Sequence, residues 1–117
     1  IQKKENNMDE QKTNNLVLII TVADRGNTDI IMDAARSAGA SGGTVVNAQG
    51  TGAGMAKFFG VSISEEKEMV YIVAKKSDRD AIMHAIMEKA GSNTEAHGIL
   101  FSLPIDSVVG IKGLEDN

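Results

Sequence analysis

Gly39-Ala-Ser-Gly-Gly-Thr-Val-Val-Asn-Ala-Gln-Gly-Thr-Gly-Ala-Gly54 opens where a helix should end, runs through a short β-branched segment and dissolves into glycines. Half of the chain's glycines lie in it. Glycine costs backbone entropy, so this density calls for positive φ or for a ligand brought against the main chain, and the stretch alone does not choose between them.

Working outward, the segment before it reads as a helix. Ile30, Ile31, Ala34, Ala35 and Ala38 fall on one stripe, Asn27 or Thr28 can cap its start, and Gly39 fits its stop. Ahead of that helix, Leu16–Ala23 (LVLIITVA) is a continuous β-branched run that reads as a central strand buried on both faces. Thr44–Gln49 is the second strand, and Gly50–Ser64 is a long connection without clear period. Glu66–Ala74 (EKEMVYIVA) is the third strand. Ser77-Asp-Arg-Asp80 nearly makes a capping box for a helix over Ala81–Ala90, which Gly91 ends. Gly98–Pro104 is the fourth strand, and Val108–Ile111 reads as a candidate short fifth. The order β-α-β-β-α-β is the split-βαβ, ferredoxin-like α+β unit: a four-stranded antiparallel sheet with two helices on one face. The other sheet face is also apolar, and a partner subunit is its obvious cover.

The 117 residues make one domain, with 1–15 as a polar tail or linker, 16–113 as the folded unit and 114–117 as a C-terminal tail. The chain starts with Ile and reads as an expression fragment or the C-terminal part of a longer protein. With no cysteine, disulfides, thiol catalysis and a thiolate zinc site are excluded. No signal peptide or membrane-spanning run is visible, so the cytoplasm is the expected compartment and direct membrane insertion is not expected. A net charge of −4 argues against broad nucleic-acid binding.

AGASGGTVVNAQGTG, EKEMVYIV and HGILFSLPIDSVVGIKG, in this order of elements, resemble the PII signal-transduction family from about Leu16 to Gly113. The resemblance implies a homotrimeric regulator that binds adenine nucleotides between subunits and signals to a transporter or enzyme through a loop after the second strand, the T-loop. It places Gly42, Gly43 and Thr44 against the adenine from one subunit, Val22 beneath the base, and the main chain of Val70 and Ile72 along the adenine edge. Gly50 and Gly52 match the glycines that open the T-loop, Gly98 the last glycine of the phosphate-facing B-loop, and Lys112 a phosphate-neutralising basic residue.

The chain also departs from the family pattern. Ile99 replaces the B-loop lysine, Gly110 stands at the first C-terminal basic position, and Ala53 at the basic position after the T-loop glycines. Lys112 remains, with Lys57 and His97 as substitutes. Each lost charge-assisted contact removes roughly 1.5–3 kcal/mol, so triphosphate binding is expected to weaken. The expected effectors are AMP, ADP or ATP, the less charged ones favoured, or a cyclic dinucleotide or another small anion. The T-loop is short and holds no tyrosine, so tyrosine uridylylation is not expected.

Other residues read in more ordinary ways. His84 is a surface or boundary histidine, Met32, Met83 and Met87 are packing residues, and Glu65, Glu66 and Glu68 are a solvated start to the third strand. Met55, Phe58 and Phe59 either fold back on the sheet or, with Lys57, form a partner-docking surface. No dinucleotide or P-loop motif and no catalytic constellation appears, so turnover is not expected. Two rivals stand beside the nucleotide sensor: a trimerisation or docking domain that has lost its ligand, and a metal or amino-acid sensor on the same fold.

Overall fold

The computed structural model describes residues 15–51 and 64–111. The elements are β1 (Leu16–Asp24), α1 (Thr28–Ser37), β2 (Thr44–Thr51), β3 (Ser64–Lys75), a 3-10 turn (Lys76–Asp78), α2 (Arg79–Ala90) and β4 (Ile99–Pro104). They form one antiparallel sheet in the order β2-β3-β1-β4. The α+β, ferredoxin-like expectation holds, with β1 in an interior position.

Alternation of side chains decides what each sheet face carries. Ile19 pairs with Ile72 on β3 and with Ser102 on β4, and Val70 with Thr21 and Val45, which fixes one face. On it, Val17, Ile19, Ala23, Val70, Ile72 and Ala74 join Ile31, Met32, Ala34 and Ala35 of α1 and Ile82, Ile86 and Ala90 of α2 in one core. Ile82, Ile86 and Ala90 recur every four residues, so they form a single stripe. The core is wholly aliphatic apart from Met32, and each fully buried Ile contributes about 1.5–3 kcal/mol of burial free energy.

Several sequence expectations need correction. Ile30 is 47% exposed and Met87 55% exposed; each sits one residue off its helix's buried stripe. Val108–Ile111 forms no strand but a bend. The hairpin of β2 and β3 is longer than expected: Gly50 and Thr51 pair with Glu65 and Ser64, so the connection is residues 52–63, which lie outside the described residues together with Met55, Lys57, Phe58 and Phe59. β4 begins at Ile99, and Gly98 instead bridges Gly91. α2 begins at Arg79, after a 3-10 turn that takes in Ser77, and the cap position, Asp78, makes no side-chain cap bond.

Gly39 ends α1 as expected, at φ +117, with its N–H on the Arg36 carbonyl and that of Ala40 on Ala35. The start of α1 differs. Neither Asn27 nor Thr28 caps it; the Asn27 amide turns back to the Asp24 carbonyl at 2.8 Å. The cap comes from β3. The Glu68 carboxylate accepts the N–H of Gly26 at 2.7 Å, the N–H of Asn27 at 3.2 Å and the Thr28 hydroxyl at 2.7 Å.

Candidate functional site

The register lays out the face away from the helices as rows. Thr44, Tyr71, Ile20 and Phe101 form one row, Val46, Met69, Val22 and Ile99 the next, and Ala48, Lys67 and Asp24 the row beyond. Val73, Leu18 and Leu103 lie on the other side of the first row. Several members are large, apolar and exposed: Val46 (41%), Ile99 (57%), Phe101 (42%) and Leu103 (45%). A contiguous apolar sheet face of this character is the kind of surface that marks interaction sites in soluble proteins.

The expected site residues distribute over this frame. Val22 and Thr44 sit on the open face in neighbouring rows. The side chains of Val70 and Ile72 are fully buried in the core, so only their main chain is available to a ligand. That of Val70 is laddered on both sides, whereas β2 pairing stops at Tyr71, one residue before Ile72. Gly50 lies inside β2 and does not open the loop. Gly52 and Lys112 lie outside the described residues.

The glycines divide by physical need. A Cβ on Gly98 would stand 2.2 Å from the Ala90 carbonyl oxygen, and one on Gly91 2.4 Å from that of Met87. Gly43 is tight as well, with Ile72, Met32 and the Tyr71 carbonyl each 3.1 Å from such an atom. Among the described residues nothing lies within 4 Å of such an atom on Gly42, and its φ is not positive. The described residues give it no reason to be glycine.

His97 precedes Gly98 with φ 52, a left-handed conformation uncommon for a side-chain-bearing residue. Its Nδ1 donates to Asp24 Oδ2 at 2.8 Å, and Lys67 Nζ donates to Asp24 Oδ1 at 2.6 Å. The Lys67 hydrogen bond, then that of His97, holds the Asp24 carboxyl below its ordinary value against the opposing effect of burial. Beside them Arg25 pairs with Glu66 at 3.0 Å. For Glu68 burial is the largest influence and raises the pKa, but the bonds from Thr28, Gly26 and Asn27, with the Arg25 charge, outweigh it and keep the group below its ordinary 4.5. The solvated-entrance expectation therefore holds for the exposed Glu66 alone among the described carboxylates, since Glu68 is a helix cap.

Sequence reasoning missed Lys67 and Asp24, which meet His97 only through the β1–β3 register and the approach to β4. A signal for Glu68 was present: it shares parity with Val70, Ile72 and Ala74, so an acid there had to face the helices. His84 lies on the α2 surface and lines a hollow with Met83, Met87, Ile99 and Leu100. Among the described residues no group of three His, Asp or Glu is gathered to hold a metal, and no helix is long and apolar enough to cross a membrane.

The family described as nitrogen regulatory protein P-II matches residues 7–115, and the chain belongs to that family. Solved structures share the architecture. B. subtilis GlnK aligns with a TM-score of 0.66 at 19% identity, over 85% of this chain and 92% of that one. The B. subtilis GlnK–ATP complex aligns at 0.64 and 19%, over 80% and 84%. Arabidopsis thaliana PII bound to citrate aligns at 0.62 and 19%, over 86% and 83%. At that identity the likeness establishes the fold. Comparison with curated proteins gave no match.

Proposed function

We propose that this chain is a homotrimeric regulator whose working unit is residues 16–113, flanked by tails, and that it acts in the cytoplasm by binding rather than by turnover. A small anionic effector, an adenine nucleotide such as AMP, ADP or ATP, enters the cleft between subunits. There it meets Gly42, Gly43 and Thr44, the region of Val22, the main chain about Val70 and Ile72, Gly50 and Gly52, and the phosphate side formed by His97, Gly98 and Lys112. Occupancy biases the segment 53–64, whose Lys57, Phe58 and Phe59 contact a regulated transporter or enzyme. A ligand shifts such a segment only through different affinity for its two states.

The observation that carries this reading is Gly42, a glycine on which the described residues place no requirement, two residues from Thr44, which stands on the apolar open face. Close approach from outside the chain explains it. The ATP and citrate complexes of related folds make an anionic effector a natural extension. The test pairs sedimentation with calorimetry. The wild type should sediment as a trimer and bind at least one of AMP, ADP and ATP. Thr44→Val and Lys112→Ala should each weaken that binding by about tenfold with the trimer intact. Unchanged affinity in both variants removes the site.

The ligand-free docking domain remains a second reading, favoured by one observation. Gly110, where a basic residue is expected, adopts φ +92, a conformation that disfavours arginine or lysine there. A trimer that gives no heat with any nucleotide would establish it.

A further inference from the structure

We infer a second binding site at the end of the sheet opposite the cleft, one that takes a free α-amino acid with an apolar side chain. It goes beyond the nucleotide reading and uses none of that reading's residues.

A hollow of about 540 Å³ opens where β1 begins, β4 ends and α2 starts. That volume is in the range of small-molecule pockets. Leu16, in its lining, lies six residues from Val22 along β1, which sets the hollow about 20 Å from the expected cleft. The hollow is on the helix side of the sheet. Val17 pairs with Pro104 and Ile19 with Ser102, so the lining residues Val17, Ser102 and Pro104 share the face whose Val17 and Ile19 enter the core beneath the helices. An assembly built on the open face, which carries Phe101 and Leu103, uses the other side of the sheet.

Main-chain bonds fix the frame. The Ile105 N–H donates to the Leu16 carbonyl at 3.3 Å, and the Lys76 N–H to the Asn15 carbonyl at 2.7 Å. These bonds tie the end of β4 and the 3-10 turn to the start of β1, and leave the side chains around the hollow to meet a ligand.

The lining divides by chemistry. Leu16, Val17, Pro104 and Ile105 make an apolar wall. Lys76 in the 3-10 turn and Arg79 at the start of α2 bring positive charge, and Asp106 beyond β4 brings negative charge. Arg79 commits Nε to the exposed Asp80 at 2.9 Å, which leaves the two terminal nitrogens of its guanidinium for another acceptor. Among the described residues, Lys76 and Asp106 enter no ion pair, either with each other or with a third group. Opposite charges held apart around one hollow suit a ligand that carries both. An α-amino acid does so. Its carboxylate meets Lys76 and the Arg79 guanidinium, its ammonium meets Asp106, and its side chain lies on the apolar wall. A phosphate or a simple carboxylate would set a like charge against Asp106, and a simple amine would face the two cations.

The test is calorimetry of the full chain with four probes: L-leucine, L-alanine, isocaproate (leucine without its amine) and isoamylamine (leucine without its carboxylate). Leucine should bind the wild type, and each other probe should bind about tenfold more weakly or worse. Arg79→Gln and Lys76→Met should each weaken leucine by about tenfold, and Asp106→Asn by about threefold, with native circular dichroism retained. Asp106→Asn should at the same time tighten isocaproate, an opposite sign that a loss of folding does not produce. No heat from leucine on the wild type overturns the site. Equal affinity for leucine and isocaproate overturns the assignment of the ligand as an amino acid. Leucine affinity unchanged in both Arg79→Gln and Lys76→Met overturns its placement in this hollow.

Discussion

Glu68 shows how one side chain can join two elements. From a strand 40 residues away in sequence, its carboxylate takes the N–H of Asn27, one of the open donors at the start of α1, with the N–H of Gly26 before it and the hydroxyl of Thr28 after it. Glu68→Ala should cost about 1–2 kcal/mol, read from chemical denaturation. The pH dependence follows from its depressed pKa. The group is more acidic folded than unfolded, so its stabilisation is fully present above the ordinary value of 4.5 and is lost as pH falls through the lower folded value. Glu68→Gln should therefore flatten the acid limb of the stability profile between pH 7 and the acid transition. Glycines give a paired prediction. Gly98→Ala forces an atom against the Ala90 carbonyl and should destabilise by about 1–3 kcal/mol, whereas Gly42→Ala has open space and should leave thermal stability unchanged while weakening effector binding. A Gly42→Ala variant that keeps full affinity would remove the main support for the cleft.

At the scale of elements, strands and helices were legible because apolar periodicity is local. Leu16–Ala23 reads as an interior strand from its β-branched run, and Ile31, Ala34 and Ala35 of the first helix's apolar stripe are buried as that stripe implies. The ends were less legible. β2 and β3 extend through Gly50, Thr51, Ser64 and Glu65 because pairing continues past the last apolar residue, and hydrogen-bonded partners are not visible in one strand's composition. Val108–Ile111 has strand-like residues but bends, with Gly110 at positive φ. Much of the candidate site was legible only through family likeness. The Lys67–Asp24–His97 cluster was not legible at all, since Asp24 and His97 are separated by 73 residues and meet only when β4 takes its place beside β1. Gly98 carried an ambiguous signal: its glycine matched a ligand loop, and its own-chain packing demands glycine as well.

At the scale of the whole molecule, the open sheet face is the feature with the widest reach. Phe101 and Leu103 on β4 sit on it with Val46 at the other edge, all more than two-fifths exposed. A small aliphatic core supports a domain of this length only modestly, and assembly adds stability by mass action. Phe101→Asp should therefore convert the proposed trimer to monomer or aggregate, seen by sedimentation. The wild-type melting temperature should rise with protein concentration. A monomer with a concentration-independent transition would contradict the assembly.

The bridge between Gly91 and Gly98 pinches residues 92–97 into a ring whose neck is fixed by the Ala90 carbonyl accepting the Gly98 N–H at 2.9 Å. The clasp holds both ends of the ring, and Ala96 inside it anchors the middle, buried in the core with its carbonyl accepting the Asp24 N–H at 2.9 Å. Ser92, Asn93, Glu95 and His97 are exposed, so side chains there can change while α2 and β4 keep their places. The fold thus holds this short insert as a socket holds a plug, by its two ends and one buried residue.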